Sequence, residues 1–287
     1  MAYTMNRRLF LNRLSQGAAG ALCLKGANLT AFGFGPTRLK TIGMQLYTVR
    51  RELEKDFEGT LARVAALGYR EVEFAGYFNH TPKEVKSLLV RHGLVSPAAH
   101  FQFADGRGDL QTMIDAAHVI GQKYLLLAWT PPEQRRTLDD YKRIADYCNR
   151  AGEQLQKAGL QFAYHNHDFE FAPIEGKVPY DLLLEQTDPR LVKLELDLYW
   201  ITKAGAKPLG YFEKYPGRFH LLHVKDMDAT PRRYFTEVGR GVVDFKTAFA
   251  NAKLAGVRHY FVEQDETPGS PFDSLKVSID YLKQLEF

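Results

Sequence analysis

The chain alternates short apolar runs with longer amphipathic runs eight times between residues 41 and 285. The apolar runs have the length and composition of buried strands, and they cover 41–47, 70–75, 95–101, 123–128, 160–165, 192–197, 219–224 and 259–264. The amphipathic runs have helical periodicity, and they cover 52–67, 81–92, 109–120, 137–158, 179–187, 207–215, 244–255 and 271–285. Eight strand–helix units without a break in composition predict an α/β fold, a single-domain (β/α)8 TIM barrel, in preference to an open doubly wound sheet.

Glycines at the ends of the predicted helices support this count. Gly68, Gly93, Gly159 and Gly256 each follow an amphipathic run and precede the next apolar run. Glycine is common just past the last residue of a helix, because it adopts a left-handed backbone without steric cost. We therefore predict one barrel domain over residues 36–287.

The first 35 residues differ in composition from the rest of the chain. Arg7 and Arg8 precede a weakly apolar stretch of glycine and alanine, and residues 1–35 contain no acidic side chain. This arrangement is similar to a twin-arginine export signal, so we expect residues 1–35 to form a signal peptide and disordered lead. The protein is then periplasmic or otherwise exported. A disordered tail is the alternative, and the stretch is too short for a membrane span of about 20 apolar residues.

Charge limits the kinds of partner. The whole chain carries a formal charge of +4, and residues 1–35 hold four of its basic side chains, Arg7, Arg8, Arg13 and Lys25. Without that segment the chain is neutral, so it has no general electrostatic attraction to nucleic acid or to an anionic membrane. We expect a small-molecule partner, and the sequence leaves open whether the protein is a homo-oligomer.

Polar side chains at the ends of four predicted strands indicate a site. In barrels of this kind the reactive groups lie at the carboxyl ends of the strands. The last four strands end in His165, Asp197, His223 and Glu263. Imidazole and carboxylate groups bind hard or borderline divalent cations, so this set predicts one metal ion, Mn²⁺, Zn²⁺, Co²⁺ or Mg²⁺. A polar substrate pocket without metal is the alternative.

Further residues at the same end are candidate substrate contacts. Lys225 lies two residues after His223 and is expected to polarise a substrate oxygen. The predicted substrate-binding residues are Glu73, His100, His167, Trp200, Asp226 and Tyr47, with Trp129 as a further aromatic near the pocket. Glu195, two residues before Asp197, is interpreted as facing the surrounding helices.

Six segments resemble the sugar phosphate isomerase/epimerase superfamily, the xylose isomerase-like TIM barrels. They are Gly68–Glu73, Tyr164–Phe171, Leu196–Trp200, His223–Asp226, Glu237–Phe245 and Val262–Asp265. The resemblance covers residues 41–287 and implies one divalent cation, bound by Glu, Asp, His and Glu at the ends of the fifth to eighth strands. Asp197, His223 and Glu263 match this set directly, whereas the fifth strand has His165 where many members have Glu.

This departure bears on the mechanism that the resemblance implies. In ketose epimerases of this superfamily, two metal-bound glutamates stand on opposite faces of the substrate and exchange its proton. The present chain keeps one of them, Glu263, as the expected acid or base, with His165 and Lys225 as further catalytic residues. Simple 3-epimerisation is therefore in doubt, and His167 or Glu170 is needed as a second acid or base.

The ligand pattern and the resemblance together predict a divalent-metal-dependent isomerase or epimerase, which removes a proton next to the carbonyl of a sugar or keto-sugar. Export favours a saccharide without phosphate. A 3-keto-glycoside lyase or dehydratase of the same fold is the first alternative, because elimination needs one base and the cation. A non-catalytic sugar-binding barrel is the alternative from another class. An endonuclease IV type phosphodiesterase is least expected, since it needs three metal ions and a histidine where this chain has Trp200.

Overall fold

The computed structural model describes residues 37–101 and 110–287. Within them, eight parallel strands close into a barrel, which confirms the predicted (β/α)8 fold. The barrel strands are β1 (Gly43–Gln45), β2 (Glu71–Phe74), β3 (Val95–Phe101), β4 (Tyr124–Leu127), β5 (Gln161–His165), β6 (Val192–Asp197), β7 (Phe219–Val224) and β10 (His259–Val262). Two further short strands lie between β7 and β10 in the chain, β8 (Asp226–Met227) and β9 (Phe235–Thr236). β8 and β9 form a separate antiparallel hairpin, and β1 pairs with β10 to close the barrel.

Helices surround the barrel between the strands. They are α1 (Arg50–Lys55), α2 (Phe57–Leu67), α3 (Pro82–Arg91), α4 (Leu110–Ile120), α5 (Leu138–Lys157), α6 (Pro179–Gln186), α7 (Leu198–Lys203), α8 (Pro208–Lys214), α9 (Phe245–Ala250), α10 (Ala252–Ala255) and α11 (Pro271–Gln284). Short 3-10 turns occupy Leu46–Val49, Pro132–Gln134 and Phe169–Phe171. Each predicted helix is present within a few residues of its expected position.

Two helices begin where the prediction had no helix start, and in both cases a side chain caps the first turn. The predicted helix 52–67 divides at Asp56, whose carboxylate accepts a hydrogen bond from the backbone N–H of Gly59 and starts α2. The short helix α7 was not predicted. It begins directly after β6, because the Asp197 carboxylate accepts a hydrogen bond from the backbone N–H of Trp200.

Residues 1–36 and 102–109 lie outside the described residues. The export signal and its boundary at residue 35 therefore stay predictions. Among the residues that the structure does describe, no helix is both long enough and apolar enough to cross a membrane.

The barrel interior is apolar in its middle and polar at the carboxyl end of the strands. Strand residues alternate between the interior and the surrounding helices, so residues two apart share a face. The apolar interior side chains are Ala98, Tyr124, Leu126, Ala163, Leu221 and Phe261. Two residues further along four of these strands, the inward positions hold His100, His165, His223 and Glu263. The interior therefore changes from apolar to polar over two residues of each of these strands.

Gly43 is the inward residue of β1 at the apolar end, and the Phe261 ring fills the space next to it. A Cβ atom on Gly43 would lie 2.6 Å from Cδ1 of Phe261 and 3.1 Å from Cβ of Glu71. The distance to Phe261 is too short for a real Cβ atom and the distance to Glu71 is tight, so the Phe261 ring can occupy this place between β1 and β10 only beside a glycine.

We expect Gly43→Ala to lower the free energy of unfolding by about 1–3 kcal/mol, because the added methyl group overpacks the barrel interior. Gly210→Ala is the matched control, since Gly210 lies in α8 and a Cβ atom there meets no atom within 4 Å. The control should be neutral or stabilising by up to about 1 kcal/mol, because alanine is the better helix former. Urea unfolding of both variants measures the difference, and equal stability of the two would contradict the packing argument.

Candidate metal centre

Four side chains from neighbouring strands converge at the carboxyl end of the barrel. His165 and Asp197 are the last residues of β5 and β6, His223 lies near the end of β7, and Glu263 directly follows β10. One potential ligand atom from each lies within 4.8 Å of the other three, and all four residues are buried. The structure therefore brings together the four residues that the sequence predicted as metal ligands.

The register of the barrel strands explains this convergence. Asp197 on β6 lies opposite His223 on β7, so the two side chains point to the same side. His223 Nδ1 lies 2.9 Å from Glu263 Oε2 and 3.6 Å from Asp197 Oδ2. His165 Nε2 lies 3.3 Å from the same Asp197 oxygen. Two nitrogens and two carboxylates thus face a common point.

Hydrogen bonds turn a ring nitrogen of each imidazole towards this point. His165 Nδ1 lies 3.1 Å from the carbonyl oxygen of Ala128, and His223 Nε2 lies 2.8 Å from Glu73 Oε2. These acceptors hold a proton on each of those two nitrogens, which leaves His165 Nε2 and His223 Nδ1 as the nitrogens that face the carboxylates. His223 Nδ1 is buried and has no hydrogen-bond partner. Metal-binding histidines usually donate their other N–H in this way, so the four residues fit a divalent cation.

Electrostatics keep the two carboxylates ionised although they are buried. Burial alone raises the pKa of Asp197 and Glu263, but the positive charge of Lys225 and the neighbouring imidazoles hold both pKa values well below the usual range. Lys225 Nζ lies 2.8 Å from Glu263 Oε2 and 3.3 Å from Asp197 Oδ2. Burial, together with the charge of His223, lowers the pKa of His165 to about 4. The centre therefore offers two anionic oxygens and a neutral imidazole.

Two acidic residues at the centre were not predicted there. Glu195 was interpreted as facing the helices, and this was wrong: it is fully buried, and its Oε2 lies 2.7 Å from His100 Nε2. Asp265 Oδ1 lies 2.7 Å from Lys225 Nζ. Glu195 precedes Asp197 by two residues, so the two-residue period of strands places both in the barrel. That period was the signal that could have found Glu195.

Glu73 and His100 lie beneath the four predicted ligands. Glu73 is fully buried, and its Oε2 accepts hydrogen bonds from Gln45 Nε2 at 2.8 Å and from His223 Nε2 at 2.8 Å. His100 Nε2 lies 3.2 Å from the same oxygen. We expected these two residues to contact substrate hydroxyls. Their position does not support this, because they lie on the Nε2 side of His223, away from Glu263.

Asp226 also has a different position from the one expected. Its carboxylate accepts hydrogen bonds from four backbone N–H groups, at 2.8–3.1 Å, those of Met227, Gly239, Gly241 and Val243. Gly241 is needed for this approach, because a Cβ atom there would lie 2.2 Å from the carbonyl oxygen of Met227. We correct the expected substrate contact of Asp226 to a structural one, which holds the segment that contains β8 and β9.

Aromatic side chains lie beside the four predicted ligands and form what we call the aromatic wall, Trp200, Phe235 and Phe169. The Trp200 ring lies 5.4 Å from the His167 ring and 5.6 Å from Lys225 Nζ. Phe235, on β9, also lies 5.6 Å from Lys225 Nζ, and His167 stacks on Phe169 at 5.1 Å. Trp200 Nε1 and His167 Nδ1 are buried without a hydrogen-bond partner. A ligand that reached either nitrogen would meet an unsatisfied polar atom.

Three other candidates lie outside this group. Tyr47 is 42% exposed and packs against Arg50, whose Cζ lies 4.1 Å from the ring centre. Trp129 is 38% exposed just after β4. Glu170, considered as a second acid or base, accepts hydrogen bonds from the Tyr164 hydroxyl and from the backbone N–H of His167, each at 2.8 Å. Both Glu170 oxygens are thus engaged.

A closed parallel barrel with convergent ligands at the carboxyl ends of its strands defines an enzyme-like TIM barrel with a candidate metal centre. The sequence model of the xylose isomerase-like TIM barrel family matches residues 61–285. The chain therefore belongs to this family.

Proteins with similar sequences or structures include both dehydratases and isomerases. The chain is 27% identical over 266 residues to an inosose dehydratase of Geobacillus kaustophilus, a match that covers 78% of this chain and 86% of that protein. A sugar phosphate isomerase/epimerase structure from Parabacteroides distasonis has a TM-score of 0.75 and 28% identity, and the match covers 86% and 94% of the two chains. The IOLI protein with a binding zinc atom shares the fold, with a TM-score of 0.66 and 14% identity over 84% and 95%. The first two similarities support an enzyme of the isomerase or dehydratase type, and the third supports the fold.

Removal of the buried lysine tests the electrostatic arrangement. In metal-free protein, we expect Lys225→Met to lower the free energy of unfolding by about 3–5 kcal/mol, because it leaves buried carboxylates without their cation. A bound divalent cation should reduce this loss, since it supplies positive charge at the same place. Urea unfolding with chelator and with added Mn²⁺ measures both values.

Lys276→Met is the control for loss of a lysine. Lys276 pairs with Asp280 on the exposed face of α11, so its replacement should change stability by at most about 0.5 kcal/mol. An equal, small effect of the two substitutions in metal-free protein would show that Lys225 does not neutralise the centre.

Proposed function

We propose that this protein is a divalent-metal-dependent lyase or dehydratase that acts on a keto-sugar. The observation that carries the proposal is the convergence of His165, Asp197, His223 and Glu263, whose ligand atoms lie within 4.8 Å of one another. Similarity to inosose dehydratases over most of both chains supports elimination as the reaction. Of the activities predicted from the sequence, the lyase alternative thus has better support than isomerisation or epimerisation.

The four ligands fit a borderline or hard divalent cation. Asp197 and Glu263 would supply carboxylate oxygens, and His165 and His223 would supply imidazole nitrogens, a donor set that suits Mn²⁺, Zn²⁺, Co²⁺ or Mg²⁺. When bound, such an ion acts as a Lewis acid on the substrate carbonyl and stabilises the negative charge that develops there by several kcal/mol.

The residues around the ligands can move the protons that an elimination needs. Glu263 is the proposed base, which takes a proton from the carbon next to the carbonyl. The electrons of that C–H bond form a carbon–carbon double bond, and the bond from the β carbon to its oxygen substituent breaks. Lys225 Nζ donates a hydrogen bond to a substrate oxygen, and the leaving oxygen takes up the proton that Glu263 removed, which returns Glu263 to its carboxylate form.

The surroundings of the centre favour a carbohydrate without phosphate. The aromatic wall offers apolar ring faces against which a sugar ring can pack. Two arginines near it are already engaged: Arg50 pairs with Glu266 at 2.8 Å, and Arg135 lies 3.3 Å over the Phe169 ring and donates from Nε to the Thr130 carbonyl oxygen at 2.8 Å. Phosphate sites use Arg or Lys groups that are free to form charge-assisted hydrogen bonds.

Isomerisation or epimerisation is the second candidate. The 28% identical sugar phosphate isomerase/epimerase structure favours it, and it shares the step of proton removal. Epimerisation also needs a group that returns a proton to the opposite face, for which His167 is the candidate among the described residues. The products distinguish the two reactions, because elimination releases water or an alcohol, whereas epimerisation conserves mass.

The function is tested with protein that has been stripped by a chelator and reloaded with Mn²⁺, Zn²⁺, Co²⁺ or Mg²⁺. We expect turnover of inososes or 3-keto-glycosides by the reloaded protein only, with formation of an unsaturated keto product. Absorbance and mass spectrometry follow the product, and free ketoses test isomerisation in parallel. Turnover that persists in chelator would contradict the metal-dependent mechanism. No bound ion and no turnover would favour a sugar-binding barrel.

The same assay tests the base. Glu263→Gln keeps the size of the side chain and should lower kcat by at least about 10²-fold, because the proton acceptor is lost. Circular dichroism should show an intact fold. Glu237→Gln is the matched control, since this buried carboxylate accepts a hydrogen bond from Ser274 Oγ at 2.9 Å and is not one of the four ligands. Full activity of Glu263→Gln would remove Glu263 from the mechanism.

We also propose that residues 1–35 direct export. The paired Arg7 and Arg8 before a weakly apolar stretch support this reading. Joint substitution of Arg7→Lys and Arg8→Lys should keep the protein in the cytoplasm of a bacterium that has twin-arginine transport, because the receptor reads the arginine pair. Arg13→Lys is the control and should be exported normally. Cell fractionation measures both, and equal export of the two variants would contradict the proposal.

A further inference from the structure

Beneath the predicted metal ligands lies a second group, which we call the lower layer, made of the buried residues Glu73, Glu195 and His223 and the partly buried His100. One potential ligand atom from each lies within 4.8 Å of the other three. His223 is the member that belongs to both groups, since its Nδ1 faces Glu263 and its Nε2 faces the lower layer. The lower layer therefore touches the candidate metal centre through one imidazole.

Both imidazoles of the lower layer share their N–H groups between the same two carboxylates. His223 Nε2 lies 2.8 Å from Glu73 Oε2 and 3.1 Å from Glu195 Oε2. His100 Nε2 lies 3.2 Å and 2.7 Å from the same two oxygens. The two rings stack with 5.2 Å between their centres and 17° between their planes. Rotation of either ring would break two contacts at once.

The first strand of the barrel holds Glu73 in place. Gln45 lies opposite Glu73 in the register of β1 and β2, and its Nε2 donates a hydrogen bond to Glu73 Oε2 at 2.8 Å. The other end of the Gln45 amide accepts a hydrogen bond from the backbone N–H of Tyr47 at 3.1 Å. The acceptor of the His223 proton is thus fixed by the backbone of β1.

Stability alone does not account for this arrangement. Burial of two carboxylates and two imidazoles has a desolvation cost that apolar side chains of similar volume avoid. One strand step below, the barrel does use apolar side chains at the equivalent inward positions, such as Ala98 and Leu221. What the polar group provides is two acceptors that hold the proton of His223 Nε2, and with it a fixed ring whose Nδ1 faces the predicted metal ligands.

A second cation in the lower layer is the competing explanation. Glu73 Oε1 and Glu195 Oε1 are buried without a hydrogen-bond partner, which would suit such an ion. The Oε2 atoms, however, already lie within hydrogen-bond distance of N–H groups of His223, His100 and Gln45. A His223 Nε2 that carries a proton cannot also bind a metal ion. The contacts therefore favour shared protons.

We propose that Glu73, His100 and Glu195 are positioning residues, which lock His223 in the tautomer and ring orientation that bind the metal ion. The inference rests on the proposed metal centre. Glu73 has the shorter contact with His223 and acts on it directly. Glu195 acts on His223 as the second acceptor and is itself held by His100 at 2.7 Å.

Calorimetric titration of metal-free protein with Zn²⁺ tests this role without an activity assay. Glu73→Leu should weaken metal affinity about 10- to 100-fold, as expected when the acceptor behind a metal-binding histidine is lost. Glu73→Gln keeps an acceptor oxygen and should therefore recover part of this loss. With Co²⁺, the visible absorption spectrum should shift in Glu73→Leu, because the ligand field changes when His223 turns.

Glu71→Leu is the matched control. Glu71 lies on the same strand, and its carboxylate contacts the imidazole of His259 at 2.8 Å near the other end of the barrel. This substitution removes a carboxylate–imidazole pair without touching His223, so affinity and spectrum should stay those of the original protein. If Glu73→Leu does not fold, Glu73→Gln and Glu195→Gln carry the comparison, and each should weaken affinity measurably.

The outcomes separate this inference from the proposed function. If the original protein binds no divalent ion, both the metal centre and the positioning role are contradicted. If it binds one ion and Glu73→Leu has the same affinity and the same Co²⁺ spectrum, the positioning role alone falls. Two ions in the original protein and one in Glu195→Gln would also overturn it, since the lower layer would then be a second metal site.

Discussion

The contact between Lys225 and three carboxylates is the interaction on which the polar end of the barrel depends. Asp197, Glu263 and Asp265 each lie within 3.3 Å of its Nζ atom, and all of these groups except the partly exposed Asp265 are buried. Buried carboxylates close together repel one another and favour protonation. The lysine keeps Asp197 and Glu263 charged and therefore able to bind a cation, and it does so from within the pocket where substrate would lie.

The replacement of glutamate by His165 on the fifth strand fits this charge balance. Asp197 and Glu263 are the anionic members of the proposed ligand set, and His165 donates its Nδ1 proton to a backbone carbonyl, which leaves it a neutral ligand. Fewer anionic ligands leave more of the positive charge of a bound ion for the substrate carbonyl. The substitution removes a base that epimerisation uses and retains Glu263 for elimination, so it agrees with the proposed lyase chemistry.

The sequence predicted the barrel well because its signal is repeated eight times and each strand is buried on both faces. It also predicted the convergence at His165, Asp197, His223 and Glu263, since parallel strands end at one edge. It failed where a side chain's partner is distant in the chain. Asp226 is an acidic residue just after a predicted strand, where a ligand would be expected. Its carboxylate instead accepts hydrogen bonds from backbone N–H groups of residues 239–243. Glu195 was misplaced because the period of the strand was not applied to it.

The hydrogen bonds of Asp226 have a further consequence for how this enzyme can diversify. They fasten both ends of the β8–β9 segment one residue away from Lys225, while the tip at residues 229–233 is exposed to solvent. The proposed catalytic lysine and the exposed tip therefore lie on one short stretch, but on separately anchored parts of it. The tip can gain, lose or exchange residues while the lysine keeps its place, so variation in this loop need not disturb the polar end of the barrel.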